Sequence, residues 1–254
     1  SYPPPPMQHI LATAIHAARE AGDLLRSHFG TAPDVAAAYQ HDIKLELDVQ
    51  TQDLISDIIL KAFPDHAIYG EEGVSGNPSS PWQWIIDPID GTVNYFYGIP
   101  HFCISIAARL NDEIQVGVIL DPIRNELWET HLGAPTLLNG KPVRVSTRSR
   151  LEDAAVSVGM TKDPARLTAA TATLEKFVYR VRKCRLMGSA ALDLAYVASG
   201  RLDAYIESSV NLWDIAAGKI LLENAGGRLE ITPSAGSPDK IALRAWNGLI
   251  DINI

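Results

Sequence analysis

The chain has 254 residues, a length that buries roughly 70–75% of the unfolded surface without disulfide bonds. Its formal net charge of −8 argues against nucleic acids and anionic membranes as partners, and its two distant cysteines, Cys103 and Cys184, exclude a thiol-rich metal site. Neither a signal sequence nor an apolar run of about 20 residues is visible, so the sequence predicts a cytoplasmic protein.

The first part of the chain predicts two helices followed by an antiparallel sheet. Apolar residues at helical spacing predict a helix over 10–25, which Gly30 stops, and a second helix over 48–63. An extended stretch at 66–70 leads to a Gly/Ser/Pro-rich loop at 73–81. Strand patterns follow at 82–87, 102–110, 114–120, 126–130 and on both sides of the Asn139-Gly140 turn.

From about residue 150 the pattern changes to alternating strands and helices. Strands are predicted at 154–158, 185–187 and 203–207, and helices at 167–181, 189–200 and 214–225. We therefore expect an α+β half over about 8–148 and an α/β half over 149–254. The two halves are expected to fold as one unit over 8–254, with helices and sheets in alternating layers.

The segment from Asp87 to Thr92 carries the clearest chemistry. A buried apolar strand delivers Asp87 to its end, Pro88 stops the ladder, and Asp90 follows three residues later. Two carboxylates this close repel each other unless a cation lies between them, and their hard oxygen atoms suit Mg²⁺ or Mn²⁺. A short helix that opens at Gly91 and Thr92 would add a phosphate site. The alternative is a simple turn with aspartate as the helix cap.

Two further acidic segments allow both a structural and a functional interpretation. Glu71 and Glu72 lie on a Gly-flanked turn, where paired acids are commonly solvated surface residues. Asp214 lies in the first turn of a predicted helix, where the helix dipole favours an acid in any case. Sequence separation alone does not bring these residues together.

Three segments, in this order, resemble the signature segments of the inositol monophosphatase family. They are Gly70-Glu71-Glu72, the stretch WIIDPIDGTVNY at 84–95 and the stretch LWDIAAGKILLENAGG at 212–227. Shorter similarities at 98–100, 117–122, 138–142 and 187–191 extend the resemblance over roughly 10–250. It implies a layered α/β/α/β/α sandwich of the inositol monophosphatase / fructose-1,6-bisphosphatase type, which usually forms homodimers.

The resemblance also implies a set of metal ligands. One Mg²⁺ would be held by Glu71, Asp87 and the carbonyl of Ile89, and a second by Asp87, Asp90 and Asp214. A third, weaker ion would share Glu71, and Mn²⁺ would be a substitute for Mg²⁺.

Further roles follow from the same resemblance. The amides of Gly91 and Thr92 would bind the phosphate, and Thr92 with Asp48 would orient the attacking water, so that Glu71, Thr92 and Asp48 form the catalytic set. The family commonly has threonine three residues before this aspartate, whereas this chain has Leu45, which leaves Glu46 and Asp53 open as alternatives. The residues expected around the alcohol part of the substrate are Asp90, Gly188, Ser189, Ala190 and Glu207.

These roles predict a phosphatase that hydrolyses a small phosphomonoester by direct attack of a Mg²⁺-activated water. Glu207 and the segment 92–95 favour myo-inositol 1-phosphate as substrate. Histidinol phosphate, fructose 1,6-bisphosphate and 3′-phosphoadenosine 5′-phosphate are the alternatives within the family. A non-catalytic protein that binds metal or sugar phosphate is the alternative of another class.

Overall fold

The computed structural model describes residues 7–31, 35–38, 43–160, 164–234 and 237–253. Within these ranges the α-helices are α1 Met7–His28, α2 Glu46–Ala62, α3 Thr92–Phe96, α4 Pro164–Val178, α5 Ala190–Ala198 and α6 Leu212–Asn224. A short 3₁₀ helix covers Leu151–Asp153. The bounds of α1 agree with the predicted apolar periodicity, and Gly30 adopts a positive φ of 81° just beyond its end.

Strands β3 to β10 form the first and larger sheet. Their bounds are Ala67–Gly70, Gly73–Gly76, Trp82–Asp90, Cys103–Leu110, Glu113–Asp121, Glu126–His131, Leu137–Leu138 and Lys141–Pro142. Their spatial order is β10-β9-β8-β7-β6-β5-β3-β4. Strands β3 and β5 run parallel, and every other neighbouring pair in this sheet is antiparallel.

The second sheet is mixed. It contains β11 Ala155–Val158, β12 Lys183–Arg185, β13 Ala204–Val210, β14 Arg228–Ser234 and β15 Ser237–Trp246, in the order β12-β11-β13-β15-β14. Strand β11 runs parallel to both of its neighbours, and β15 pairs antiparallel with β13 and β14. A separate antiparallel pair joins β1 Val35–Ala38 to β2 Ile43–Leu45.

Helices and sheets alternate in five layers. Helices α1 and α2 pack on one face of the first sheet, α5 and α6 lie between the two sheets, and α4 covers the outer face of the second sheet. Successive side chains of β5 point to opposite faces of the sheet and so contribute to two hydrophobic cores. Trp84 and Ile86 pack in the core on the α1/α2 side, whereas Ile85 packs in the core on the α5/α6 side. The predicted α/β/α/β/α sandwich is confirmed. The division into halves at about residue 148 stays a prediction.

Several element boundaries differ from the prediction. Strand β5 does not end at Asp87 but continues to Asp90, with a register shift between these two residues. One residue of β6, Ile104, faces two of β5 there, so Pro88 lies in a bulge, where its missing N–H costs no regular ladder bond. The predicted loop at 73–81 contains β4, the strand predicted at 185–187 lies at Lys183–Arg185, and β14 and β15 were not predicted.

None of the helices in the described residues combines the length and the hydrophobicity that a transmembrane helix needs.

Candidate active site

Glu71 and Asp87 are neighbours because β3 and β5 run parallel. Their register pairs Gly70 with Ile86, and the N–H of Glu71 donates to the carbonyl of Ile86 at 3.1 Å. The preceding Gly70 leaves room for Gln52 of α2, since a Cβ at this position would lie 2.0 Å from the Gln52 Oε1. That same oxygen accepts from the N–H of Glu72 at 2.8 Å. The turn that carries Glu71 is therefore fixed from α2.

The bulge in β5 turns Asp87 and Asp90 toward the same end of the sheet. The Ile89 N–H donates to Asp87 Oδ1 at 3.2 Å, which holds the chain in a tight turn between the two acids. Gly91 follows with a φ of 95°, a conformation that favours glycine, and its carbonyl accepts from Tyr95 N at 3.0 Å at the start of α3.

Asp90 links the first sheet to helix α5. Its Oδ2 accepts from the hydroxyl of Ser189 at 2.6 Å and from the N–H of Ala191 at 2.7 Å. Ser189 is also the N-cap of α5, since its hydroxyl accepts from Leu192 N at 3.3 Å. Cys103, on the neighbouring strand, places its Sγ 3.8 Å from the same oxygen of Asp90. One carboxylate thus joins residues about 100 positions apart.

Asp214 reaches the same place from helix α6. The apolar face predicted for this helix is buried: Ile215, Ile220, Leu221 and Ala225 are each at most 3% exposed. Asp214 accepts from the N–H of the N-cap residue Asn211 at 2.7 Å, the backbone half of a capping box. As a result, one oxygen atom each from Asp87, Asp90 and Asp214 lies within 4.8 Å of the other two.

The electrostatics of this carboxylate cluster show an excess of negative charge. Burial and the neighbouring acids raise the pKa of Asp90 to about 7 and that of Glu71 to about 8, although Glu71 is itself exposed on one side. Burial raises the pKa of Asp214 to about 6 and that of Asp87 well above its usual range, where Glu71 adds to the shift. The cluster offers many carboxylate oxygens and little positive charge to balance them. It therefore has the donor set of a divalent metal site.

Thr92 and Asp48 are in direct contact. The hydroxyl of Thr92 lies 3.1 Å from Asp48 Oδ1 and 2.9 Å from the carbonyl of Ile89. Asp48 is buried, whereas the alternatives Glu46 and Asp53 are exposed. Leu45 lacks the hydroxyl that a threonine would have, but its N–H still donates to Asp48 Oδ2 at 2.7 Å. The backbone hydrogen bond of the helix cap is therefore present with leucine at this position, and the leucine side chain is fully buried in the core.

A pocket of about 350 Å³ lies beside the cluster. It is lined by residues that include Gly188, Ser189, Ala190 and Glu207. A bulge in β13 after Glu207 turns the N–H groups of Ser208 and Ser209 toward Glu207 Oε1, at 2.9 and 3.2 Å. Burial raises the pKa of Glu207, and these two hydrogen bonds oppose the rise. Four of the five predicted alcohol-binding residues thus line one cavity, and the fifth, Asp90, contacts it through the hydroxyl of Ser189.

Asn94 and Asp193 belong to this region but were not predicted as site residues. The Nδ2 of Asn94 donates to the carbonyl of His101 at 2.8 Å and to that of Met187 at 3.0 Å, and so ties α3 to the loop before Ser189. Asp193 is buried and its Oδ2 accepts from Ser157 at 2.9 Å. Asn94 lies inside the segment 84–95 that resembles the family signature, so the sequence offered a signal for it. No sequence motif pointed to Asp193.

The chain thus places a cluster of carboxylates that could hold a metal ion beside a small pocket, within a layered α/β sandwich. The chain belongs to the inositol monophosphatase family, whose model matches residues 6–249. It is 38% identical over 225 residues to the Nus factor SuhB of Pasteurella multocida, covering 87% of this chain and 84% of that protein. It is 37% identical over 247 residues to inositol monophosphatase 2 of Solanum lycopersicum, covering 94% and 92%.

Solved structures give the same result. The SuhB protein of Bartonella henselae superposes with a TM-score of 0.86 at 33% identity, over 94% of this chain and 93% of that one. The inositol monophosphatase of Anabaena gives a TM-score of 0.81 at 35% identity, over 95% and 91%.

Proposed function

We propose that this chain is a Mg²⁺-dependent phosphatase that hydrolyses a small phosphomonoester, with myo-inositol 1-phosphate as the favoured substrate. One observation carries the proposal: three carboxylates from two distant parts of the chain meet within 4.8 Å, beside a pocket that contains Glu207. Buried acids that repel one another destabilise a fold, so their assembly is best explained by a cation that they hold.

The proposed metal ligands are Glu71, Asp87, the Ile89 carbonyl, Asp90 and Asp214. Two or three ions would be bound, and Mn²⁺ would substitute for Mg²⁺ because both prefer oxygen ligands. When bound, the ions supply water activation and charge neutralisation at the leaving oxygen.

The protein's own groups would position the reactants. The Thr92 hydroxyl would donate a hydrogen bond to Asp48, as in the 3.1 Å contact, and its oxygen would accept a hydrogen bond from the attacking water. The N–H groups of Gly91 and Thr92, at the start of α3, would bind the phosphate oxygens. In this arrangement water attacks phosphorus directly and no covalent phosphoenzyme forms.

Glu207 supports a polyol as the alcohol part of the substrate. A carboxylate oxygen accepts two hydrogen bonds, and among the described residues Glu207 Oε2 accepts one, from the Tyr205 hydroxyl at 3.5 Å, which leaves a second for a ligand. Vicinal hydroxyl groups of a polyol ring are suitable donors, and hydrogen bonds to a charged acceptor are the stronger ones. Assembly as a homodimer, and the absence of nucleic-acid and membrane partners, stay predictions.

The test is phosphate release from four esters: myo-inositol 1-phosphate, histidinol phosphate, fructose 1,6-bisphosphate and 3′-phosphoadenosine 5′-phosphate. We expect Mg²⁺-dependent release that is fastest with inositol 1-phosphate and that EDTA abolishes. Faster release from another ester would replace the substrate but retain the phosphatase. No release from any ester, in a protein whose melting temperature rises with Mg²⁺, would favour the non-catalytic binding protein.

A further inference from the structure

A second cavity lies behind Glu207, on the side of the second sheet that α4 covers. This cavity, here called the side cavity, has a volume of about 210 Å³ and is lined by residues that include Val158, Gly159, Ala170, Ile206, Glu207 and Ala242. The pocket of about 350 Å³ beside the carboxylate cluster, here called the substrate pocket, is also lined by Val158, Gly159 and Glu207, so these three residues border both spaces. A molecule in the substrate pocket therefore has the side cavity as its neighbour.

Gly159 packs closely against the Glu207 side chain at the boundary between the two spaces. A Cβ at this position would lie 1.4 Å from Glu207 Oε2, so any other residue here would displace the carboxylate. Its N–H donates to the Ile206 carbonyl at 2.8 Å, which holds the main chain against β13. Glycine at this position is thus required for Glu207 to stand between the pocket and the side cavity.

The lining of the side cavity suits an uncharged group. Val158, Ala170, Ile206 and Ala242 provide apolar surface, and the two alanines leave the space that larger side chains would fill. Besides Glu207, the lining contains two charged residues, Arg244 and Glu230, which lie 3.9 Å apart, and Arg244 also donates to Asn253 Oδ1 at 2.9 Å. Their charges are therefore already matched within the protein.

One polar group of the side cavity lacks a partner. Ser208 contributes to the lining, and its hydroxyl oxygen is buried without a hydrogen bond within the described residues. A buried hydroxyl without a partner is unfavourable, so an occupant with one donor or acceptor at its edge would be stabilised there. An apolar cavity of about 150 Å³ is enough to hold benzene, so about 210 Å³ accommodates a single ring with a small substituent.

We propose that the side cavity is a subsite for a neutral ring substituent on the alcohol part of the substrate. The inference rests on the proposed function, and it adds a substrate class: phosphomonoesters of a hydroxylated ring that bears a second, uncharged and mainly apolar ring. Such a substrate would place its phosphate at the carboxylate cluster, its hydroxyl groups at Glu207 and its second ring past Gly159.

The test compares myo-inositol 1-phosphate with its regioisomeric mono-O-benzyl ethers. For the wild-type protein we expect one regioisomer to show a KM about 10-fold lower than the parent ester, because a benzyl group leaves water for an apolar cavity. Ala242→Leu, which fills the side cavity from β15, should remove this advantage and leave the KM of inositol 1-phosphate within about twofold. Ala170→Leu fills it from α4 and should act in the same way.

A matched control uses the neighbouring alanine. Ala169 lies on the exposed side of α4, so Ala169→Leu should change the KM of neither ester. Equal KM values for the parent and all benzyl ethers in the wild type would overturn the proposal, as would equal losses on both ester types in the folded Leu variants. If no ester is hydrolysed, the proposed function fails. Calorimetric binding of the benzyl ethers to wild type and Ala242→Leu then decides the side cavity by itself.

Discussion

The carboxylate cluster and Glu207, the acid of the neighbouring pocket, are stabilised by the fold in different ways. In the carboxylate cluster, Asp87, Asp90 and Asp214 bring oxygen atoms within 4.8 Å of one another, and the pKa of Asp90 and of Asp214 rises to about 7 and about 6. In the substrate pocket, no second acid in the described part of the chain is hydrogen-bonded to Glu207, and two backbone N–H groups donate to it.

The difference separates two kinds of function. Acids that face one another have too few donors, and their negative charge is balanced by a cation from solution. An acid that a β-bulge supplies with N–H groups is stabilised by the protein, and its remaining lone pairs accept hydrogen bonds from a ligand. The first arrangement predicts a dependence on metal, and the second predicts selectivity among alcohols.

The largest expected effect comes from Asp214→Asn. The substitution removes one negative charge from the cluster but almost no volume, and the amide oxygen still accepts from Asn211 N, so the fold should survive. Activity should fall by about 10³-fold, because bound metal contributes several kcal/mol of transition-state stabilisation. Phosphate release at saturating substrate and increasing Mg²⁺ measures the loss.

Thermal melts with and without Mg²⁺ accompany that assay. Mg²⁺ should raise the melting temperature of the wild type more than that of the variant, since a ligand stabilises the native state in proportion to its affinity. Asp112→Asn makes the same chemical change at a fully exposed acid and should alter neither activity nor the Mg²⁺ response. Near-normal turnover of Asp214→Asn would show that this residue only caps α6.

Thr92 and Asp48 should behave as one unit. Thr92→Ala and Asp48→Asn should each lower kcat by about 10²-fold, the contribution of a positioned proton-transfer group. The double variant should lose little more than either single variant, because groups that act together are non-additive. Fully additive losses in kcat would contradict the pairing that the 3.1 Å contact suggests.

The third prediction concerns the pH dependence of stability without metal. The folded-state pKa values of Glu71, Asp90 and Asp214, about 8, 7 and 6, lie above the ordinary values of 4.5 for Glu and 3.8 for Asp. Stability from these groups is fully present below about pH 4 and is lost as the pH rises through 6 to 8. The melting temperature of EDTA-treated protein should therefore fall between pH 5 and pH 8 by several degrees.

Mg²⁺ should reverse that trend, because it binds the deprotonated cluster. His66 acts in the opposite direction, since burial lowers its pKa to about 4. The stability that the protein gains from neutral His66 is present above about pH 6.5 and is lost as the pH falls toward 4. His66 contributes equally with and without Mg²⁺, so the difference between the two melting curves isolates the cluster. A difference that does not grow from pH 5 to pH 8 would contradict a cation site at these acids.

The sequence predicts most of the layered fold and which residues meet at the site. The spacing of apolar residues in the sequence directly predicts helices α1 and α6. Asn139-Gly140 forms the predicted turn, with positive φ at both residues. The acids at positions 71, 87, 90 and 214 are predicted as metal ligands through the resemblance of their segments to the family's signature segments. The order of β3 and β5, which makes Glu71 and Asp87 neighbours, follows from neither motif by itself.

What the sequence missed depends on long-range contacts or on weak patterns. Strand β14 is largely exposed and contains Pro233, so it lacks the alternation that marks a half-buried strand. Asn94 acts through carbonyls 7 and 93 residues away, and a single amide in a short helix gives no periodic signal. Gln52 gives no signal of its own in the sequence, although it fixes the turn at Glu72.

The smallest expected effect tests the pocket side of the comparison. Glu207→Gln keeps the side-chain length and one acceptor oxygen, but it removes the charge that strengthens hydrogen bonds from substrate hydroxyl groups. We expect KM for inositol 1-phosphate to rise about 10-fold, the equivalent of one charged hydrogen bond weakened, while kcat stays nearly constant. Phenyl phosphate has no hydroxyl groups to offer, so its hydrolysis should be almost unchanged and serves as the internal control. Because Glu207 contacts the backbone of Ser208 and Ser209, a melting curve must show that the variant keeps its fold. Equal losses on both esters would mean that Glu207 stabilises the carboxylate cluster instead of binding the alcohol. Glu207 and the cluster would then form one functional unit.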